Sequence, residues 1–293
     1  MAEEWLRTET AKSQNPISNL DLSSASRMGA LPPETQTIVD RISSNGSSTA
    51  HLSLPRQSLA AVLVLLCPNA SRSLSVVLTT RALTMRSFPG ETALPGGRME
   101  AEDQDVVETA LREAQEEIGL ALPSSMLKVL NTLTPFLSKN LLYVVPVVAF
   151  AHMDSEDLVN SFHANVAEVS SVWSWPLRDF LGLQDNESQK NLAVRHGHRD
   201  VTWLHGKKYR LHEFCNAAMA SPVTGLTADI VLETALMAFG KDKPGFESKA
   251  LGQLSNMEMV EAVLGGEAGL YGDTRSSIGK ARVIEDTVNG GSQ

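Results

Sequence analysis

Two glycines followed by an acidic helix decide how this chain is read: Gly96-Gly97-Arg98-Met99-Glu100, then Asp103 and Asp105, then Arg112-Glu113-Ala114-Gln115-Glu116-Glu117-Ile118-Gly119-Leu120. From residue 105 to 118 the apolar residues Val107, Ala110, Leu111, Ala114 and Ile118 recur at helical spacing, and Gly119 supplies the stop. The spacing predicts a helix packed on a sheet. On it Glu113 and Glu117 are one turn apart and Glu116 lies between them in angle, so all three carboxylates share a stripe of roughly 100° beside the apolar face. Like charges four residues apart repel on a helix, and Arg112, which reaches Glu116 at i+4, cannot neutralise three carboxylates. A hard divalent cation bound by their oxygens would. A Glu pair alone reads more simply as a solvated acidic face; the flanking glycines and arginine weigh against that here.

Working outward, residues 59–67 and 74–80 read as two strands joined by a turn through Pro68-Asn69-Ala70. Further strands are expected at 126–133, 141–150, 169–175, 201–204 and 208–214. A second helix is expected at 227–239, with Leu232, Ala235, Leu236 and Phe239 on one face and Gly240 as its stop. This is an α/β pattern over residues 57–242. Residues 1–56, rich in Ser, Thr, Asn and Pro, read as a disordered tail, and residues 243–293 as a C-terminal extension, largely unstructured apart from a short helix within 251–264.

At 42% hydrophobic and 20% charged, the 293 residues hold enough apolar material for a sizeable core, which excludes a wholly disordered chain. A net charge of −9 repels phosphate backbones, so non-specific nucleic-acid binding is not expected, and an anionic substrate would need local cations or a metal. With only Cys67 and Cys215 there is no disulfide framework, which suits a reducing compartment. No apolar run approaches the roughly 20 residues of a membrane helix, and no membrane partner is expected. The N-terminus has no signal-peptide core, so a cytoplasmic location is expected.

The segment from Arg112 to Leu120 matches, at every specified position, the second half of the Nudix box, G-x(5)-E-x(7)-R-E-U-x-E-E-x-G-U. The first half departs from it: Gly97 lies one residue farther upstream, and Asp103 or Asp105 flanks the position of the box's Glu. The longer spacing resembles the coenzyme A diphosphatase branch of the Nudix hydrolases. So do Leu78-Thr79-Thr80-Arg81, Arg86, Pro89-Gly90-Glu91 and Leu94-Pro95-Gly96-Gly97, and farther on Leu133 to Lys139, Pro146-Val147-Val148 and Gly225-Leu226-Thr227-Ala228. Phe88 stands where many of these enzymes carry His, and Thr92 and Leu94 where Val and Phe are usual.

The resemblance implies a Nudix fold, an α/β/α sandwich with a mixed sheet, and hydrolysis of the diphosphate of coenzyme A or its thioesters to adenosine 3′,5′-bisphosphate and 4′-phosphopantetheine. Glu113, Glu116 and Glu117 would hold Mg²⁺ or Mn²⁺, with the catalytic role shared by these three and Glu168, an acid in a later loop. Arg81, Arg86 and Lys139 would hold substrate phosphates. Gly96, Gly97, Arg112 and Gly119 would be structural parts of the box. A peroxisomal or mitochondrial home is a further implication. His196 and His198 lack a third ligand at defined spacing and read as part of a polar loop. The rival readings are a Nudix hydrolase of NADH, ADP-ribose or damaged nucleotides, and a non-catalytic nucleotide-binding module. Three intact carboxylates argue against the second.

Overall fold

The computed structural model describes residues 30–182, 194–240 and 244–265. Eight strands form one sheet: β1 (Leu59–Pro68), β2 (Leu74–Arg81), β3 (Thr92–Ala93), β4 (Gly96–Arg98), β5 (Leu127–Thr132), β6 (Phe136–Leu137), β7 (Tyr143–Ala151) and β8 (Val169–Pro176). The longest apolar runs of the sequence, β1 and β7, lie parallel at its centre, from Leu59 opposite Tyr143 to Leu66 opposite Phe150. Strands covered on both faces need no polar residues, so they read as continuous apolar runs. The other pairings are antiparallel, which makes the sheet mixed.

Five helices are described: α1 (Pro33–Ser44), α2 (Val106–Ile118), α3 (Ser155–Ser161), α4 (Gly225–Phe239) and α5 (Asn256–Leu264). Successive side chains of β1 and β7 point to opposite faces and build two cores. Ala60, Val64, Leu66, Val144 and Val148 pack with α1 and α4, while Ala61, Leu63, Leu65, Val145 and Val147 pack with α2. The expected α/β/α sandwich is therefore present. A second antiparallel sheet, β9 (Arg195–Thr202), β10 (Lys208–Cys215) and β11 (Val223–Thr224), packs against α4.

Three expectations change. Within the segment read as a disordered tail, residues 33–44 are α1, which buries Thr35, Ile38, Val39 and Ile42. Pro at the helix start suits its fixed φ, and four residues on one face suffice because a sheet is there to receive them. The Arg41 guanidinium donates to the Ala238 carbonyl at 2.7 Å, and the Asn131 amide donates to the Ile42 carbonyl at 2.8 Å. At the other end, the short helix expected within 251–264 is α5, which starts with a capping box between Ser255 and Glu258 and buries Met259 and Val260, so residues 244–265, read as an extension beyond the domain, are folded onto it. The remainders of the two expected tails, 1–29 and 266–293, lie outside the described residues. Third, His196 and His198 belong to β9 and not to a loop.

Candidate active site

The site is assembled where α2 meets the glycine strand β4. Asp105 caps the helix, its Oδ1 accepting from the Val107 and Glu108 backbone N–H groups, both at 2.9 Å. Gly119 ends it at φ 70°, a left-handed conformation that a Cβ would strain. The chain that passes this end later is tied to it: His163 N–H donates to the Ile118 carbonyl at 3.0 Å and Asn165 N–H to the Glu117 carbonyl at 2.8 Å. Ala82 N–H then donates to the Glu168 carbonyl at 2.8 Å. These bonds join the end of α2, the 163–168 loop and the start of the loop between β2 and β3.

Glu117 is 7% exposed, and its Oε2 accepts from the Gly96 N–H at 3.1 Å. Gly96 is pressed so closely on β1 that a Cβ would run into the backbone of Ala61 and Val62, and a Cβ on Gly97 would occupy the space of the Glu113 carboxylate. The two glycines thus bring backbone against both carboxylates. Burial pushes the Glu117 carboxyl up to about 7; the Gly96 N–H and the charge of Arg81 oppose this, and the charges of Glu113 and Glu168 add to it. Burial also raises Glu113, against the pull of Arg112.

Arg112 is anchored by Asp103: Nε donates to Oδ1 at 2.8 Å and Nη2 to Oδ2 at 3.0 Å. Asp103 also accepts from the Glu100 N–H at 2.8 Å and from Thr109 Oγ1 at 2.9 Å. Chiefly through the Arg112 hydrogen bonds, its carboxyl is held well below the usual range. The other edges of the guanidinium face Glu113 Oε1 at 3.2 Å and Glu116 Oε2 at 3.1 Å. Of the two acids flanking the box position, Asp103 is therefore the clamp and Asp105 the helix cap.

The sequence-predicted residues divide accordingly. Glu113, Glu117, Gly96 and Gly97 come together, with the charges of Arg81 and Glu168 acting on Glu117. Glu116 turns outward to Arg112 with its side chain 58% exposed. Arg86 stands exposed on the β2–β3 loop, and Lys139 is exposed in the turn between β6 and β7. Among the described residues, no three His, Cys, Asp or Glu side chains are gathered so as to hold a metal ion. The donor set nevertheless suits a hard divalent cation: Glu113 and Glu117 offer carboxylate oxygens, both desolvated and raised by that burial, beside glycines that leave them room.

Sequence reasoning did not find the anchoring role of Asp103; it paired Arg112 with Glu116 at i+4 and gave the acids before the helix no partner. Nor did it find that His196 Nε2 lies 2.9 Å from His212 Nδ1, whose other ring nitrogen is 2.9 Å from the Ser248 carbonyl.

The sequence profile of the NUDIX domain matches residues 57–195. The chain is 35% identical over 184 residues to Nudix hydrolase 15, mitochondrial, of Arabidopsis thaliana, which covers 61% of this chain and 58% of that protein. It is 34% identical over 212 residues to Nudix hydrolase 22, chloroplastic, of the same plant, covering 72% of this chain and 65% of the relative. With the uncharacterized Nudix hydrolase NudL of Enterobacter sp. (strain 638) it shares 34% identity over 177 residues, 60% of this chain and 81% of the bacterial protein. The chain thus spans less than two thirds of the length of the two plant relatives and most of the bacterial one.

Proposed function

The chain belongs to the Nudix hydrolase family, and from that premise we propose that it hydrolyses the diphosphate bond of coenzyme A or its thioesters, releasing adenosine 3′,5′-bisphosphate and 4′-phosphopantetheine. The observation that carries this reading is Arg81. It ends β2 at the foot of the loop bearing Arg86 and Gly90, its Nε donates to the Ser87 carbonyl at 3.2 Å, and its charge acts on Glu117. This is the loop whose sequence resembles the coenzyme A branch. The names of the two Arabidopsis relatives support an organelle as an alternative to the cytoplasmic home.

In this reading Arg81 and Arg86 hold the non-bridging phosphate oxygens and fix the diphosphate against the carboxylates. Glu113 and Glu117 would hold Mg²⁺ or Mn²⁺, which when bound offsets the charge of the diphosphate and makes a coordinated water more acidic, and Glu116 would have to leave its ion pair with Arg112 to join them. Glu168 is the base that takes the proton of the attacking water as one P–O bridge bond breaks. Asp103 keeps Arg112 between Glu113 and Glu116 and so fixes the helix face on which the acids stand.

The test is a panel of coenzyme A, acetyl-coenzyme A, NADH, ADP-ribose and oxidised nucleoside triphosphates, assayed with Mg²⁺ and with Mn²⁺. Coenzyme A compounds should exceed the others by at least about tenfold in kcat/KM, a modest discrimination for a site that recognises an extra charged group. Faster cleavage of NADH or ADP-ribose would overturn the substrate and leave the family reaction standing. No hydrolysis at all, with binding retained, would favour a nucleotide-binding module.

A further inference from the structure

The segment 244–255, which leads to α5, is laid against β9 and β10, and two histidines lie beneath it. Gly245 N–H donates to the Leu181 carbonyl at 2.8 Å, and the Phe246 ring stacks on His196 with 3.5 Å between centroids. Arg210 donates from Nη1 to the Glu247 carbonyl and from its backbone N–H to Gln253 Oε1, both at 2.8 Å. Between these contacts the Ser248 carbonyl lies 2.9 Å from Nε2 of His212, a residue of β10 that is buried.

A carbonyl only accepts, so His212 Nε2 carries the proton and in the neutral ring Nδ1 is bare. Nδ1 lies 2.9 Å from His196 Nε2, which must then be the donor. One further proton fits: placed on His212 Nδ1, it donates to a His196 ring that now carries its own proton on Nδ1. A second does not. It sets N–H against N–H and puts two positive rings 5.1 Å apart between centroids. The charged groups around the pair do not relieve this. From β9, His198 stacks on His196 at 5.7 Å, and Asp200, which acts on His212, already accepts from Arg210 at 2.8 and 2.9 Å. From β10, Arg210 adds its positive charge, and in the 244–255 segment the Glu247 charge acts on Arg210.

We propose that the His196–His212 pair is an acid-sensitive latch, which holds the 244–255 segment on β9 and β10 at neutral pH and releases it when both rings are charged, uncovering Phe214. The latch is independent of the substrate reading, since neither ring belongs to the carboxylate site. Burial pushes His196 down to about 4 and His212 below the ordinary histidine value; the Ser248 bond and Asp200 oppose this at His212, while His198 and Arg210 push both rings the same way as burial. A ring released to water returns to about 6.5. The open form therefore binds more protons than the closed one below about pH 6.5, and the closed form loses ground as pH falls from there towards 4.

The experiment follows amide hydrogen exchange of the full chain at pH 7 and pH 5, corrected for the chemical pH dependence of exchange, at Gly245, Ala250 and Gln253, whose N–H groups are bonded in the closed form. Nitrogen-15 spectra of the histidine rings are recorded over the same range. Protection of the three amides should fall at least about tenfold while β1 and β7 keep theirs, and the fall should coincide with the charging of both rings. In His196→Gln the amide donates to His212 Nδ1 at pH 7 and, turned over, accepts from it when that ring is charged, so the segment should stay protected at both values. Unchanged protection in wild type, a loss shared with β1 and β7, or a loss in His196→Gln equal to that of wild type would overturn the latch. If His196→Gln is already open at pH 7, the wild-type spectra decide: opening together with ring charging supports the latch, and opening with neutral rings overturns it.

Discussion

Asp103, 3% exposed, holds Arg112 through two hydrogen bonds, Nε to Oδ1 at 2.8 Å and Nη2 to Oδ2 at 3.0 Å, from one residue before the position where the Nudix box carries its glutamate. Gln104 occupies that position and is exposed, with its backbone N–H on Glu108 Oε2 at 2.6 Å. The longer glycine spacing and the shifted acid therefore belong together: an extra residue in the loop carries the acid with it.

Asp103→Asn should cost about 3 kcal/mol of stability at neutral pH, because it leaves the Arg112 charge and two donors without their carboxylate in a mostly buried place. Asp103 has a depressed folded pKa, so its contribution is complete above the unfolded value near 4 and is lost as pH falls below it. Urea unfolding of both proteins at pH 7 and at pH 3 checks this. Equal stability at pH 7 would show that the clamp contributes nothing. Adding Gln104→Glu to the variant should not restore the loss, since that side chain points to solvent.

Glu117 has the opposite sign. Burial raises its pKa from 4.5 to about 7, so the folded protein holds this proton more tightly than the unfolded chain does. The stability it contributes is full below about pH 4.5 and is lost as pH rises through 7, up to about 3 kcal/mol. Asp229, partly buried beside the Tyr209 hydroxyl at 2.6 Å and also pushed up by burial to about 7, acts in the same direction, so the quantity to read is the difference between wild type and Glu117→Gln. In metal-free protein the variant should gain on wild type between pH 5 and 8, and Mg²⁺ should stabilise wild type at pH 8 more than the variant. Its kcat should fall by at least about 10²-fold, the scale of losing a charge-stabilising group. Parallel pH profiles with an equal response to Mg²⁺ would remove Glu117 from the metal site.

A chain beginning at Asn45 should be less stable than one beginning at Ala30 by on the order of 5 kcal/mol, because it uncovers the surface that Ile38, Val39 and Ile42 bury. It also strips the Asn131 amide of its Ile42 acceptor. At this chain length that corresponds to a Tm lower by about 10 °C or more. Equal melting temperatures would show that α1 is dispensable to the core.

How much of this was legible follows from how far apart the deciding residues are. The α2 stripe, the placement of Glu113, Glu116 and Glu117 on one helix side and the Gly119 stop depend on rotation per residue along one short segment, so the sequence alone determined them. The apolar runs of β1 and β7 were equally plain, because strands covered on both faces need no alternation. α1 escaped notice because its four buried residues form a stripe too sparse to stand out until a sheet face is there to receive it. Whether Glu113 or Glu116 turned inward, whether Asp103 or Asp105 took Arg112, and whether the loop before β8 reached α2 and Ala82 were decided by the tertiary structure. The acids around Arg112 were sorted by short-range partners, Glu100 N–H, Thr109 and Arg112 for Asp103 and the first turn of α2 for Asp105, whereas the placing of Glu117 and of the loop before β8 was made by backbone groups brought from far along the chain, the Gly96 N–H that meets Glu117 and the Ala82 N–H that meets the Glu168 carbonyl.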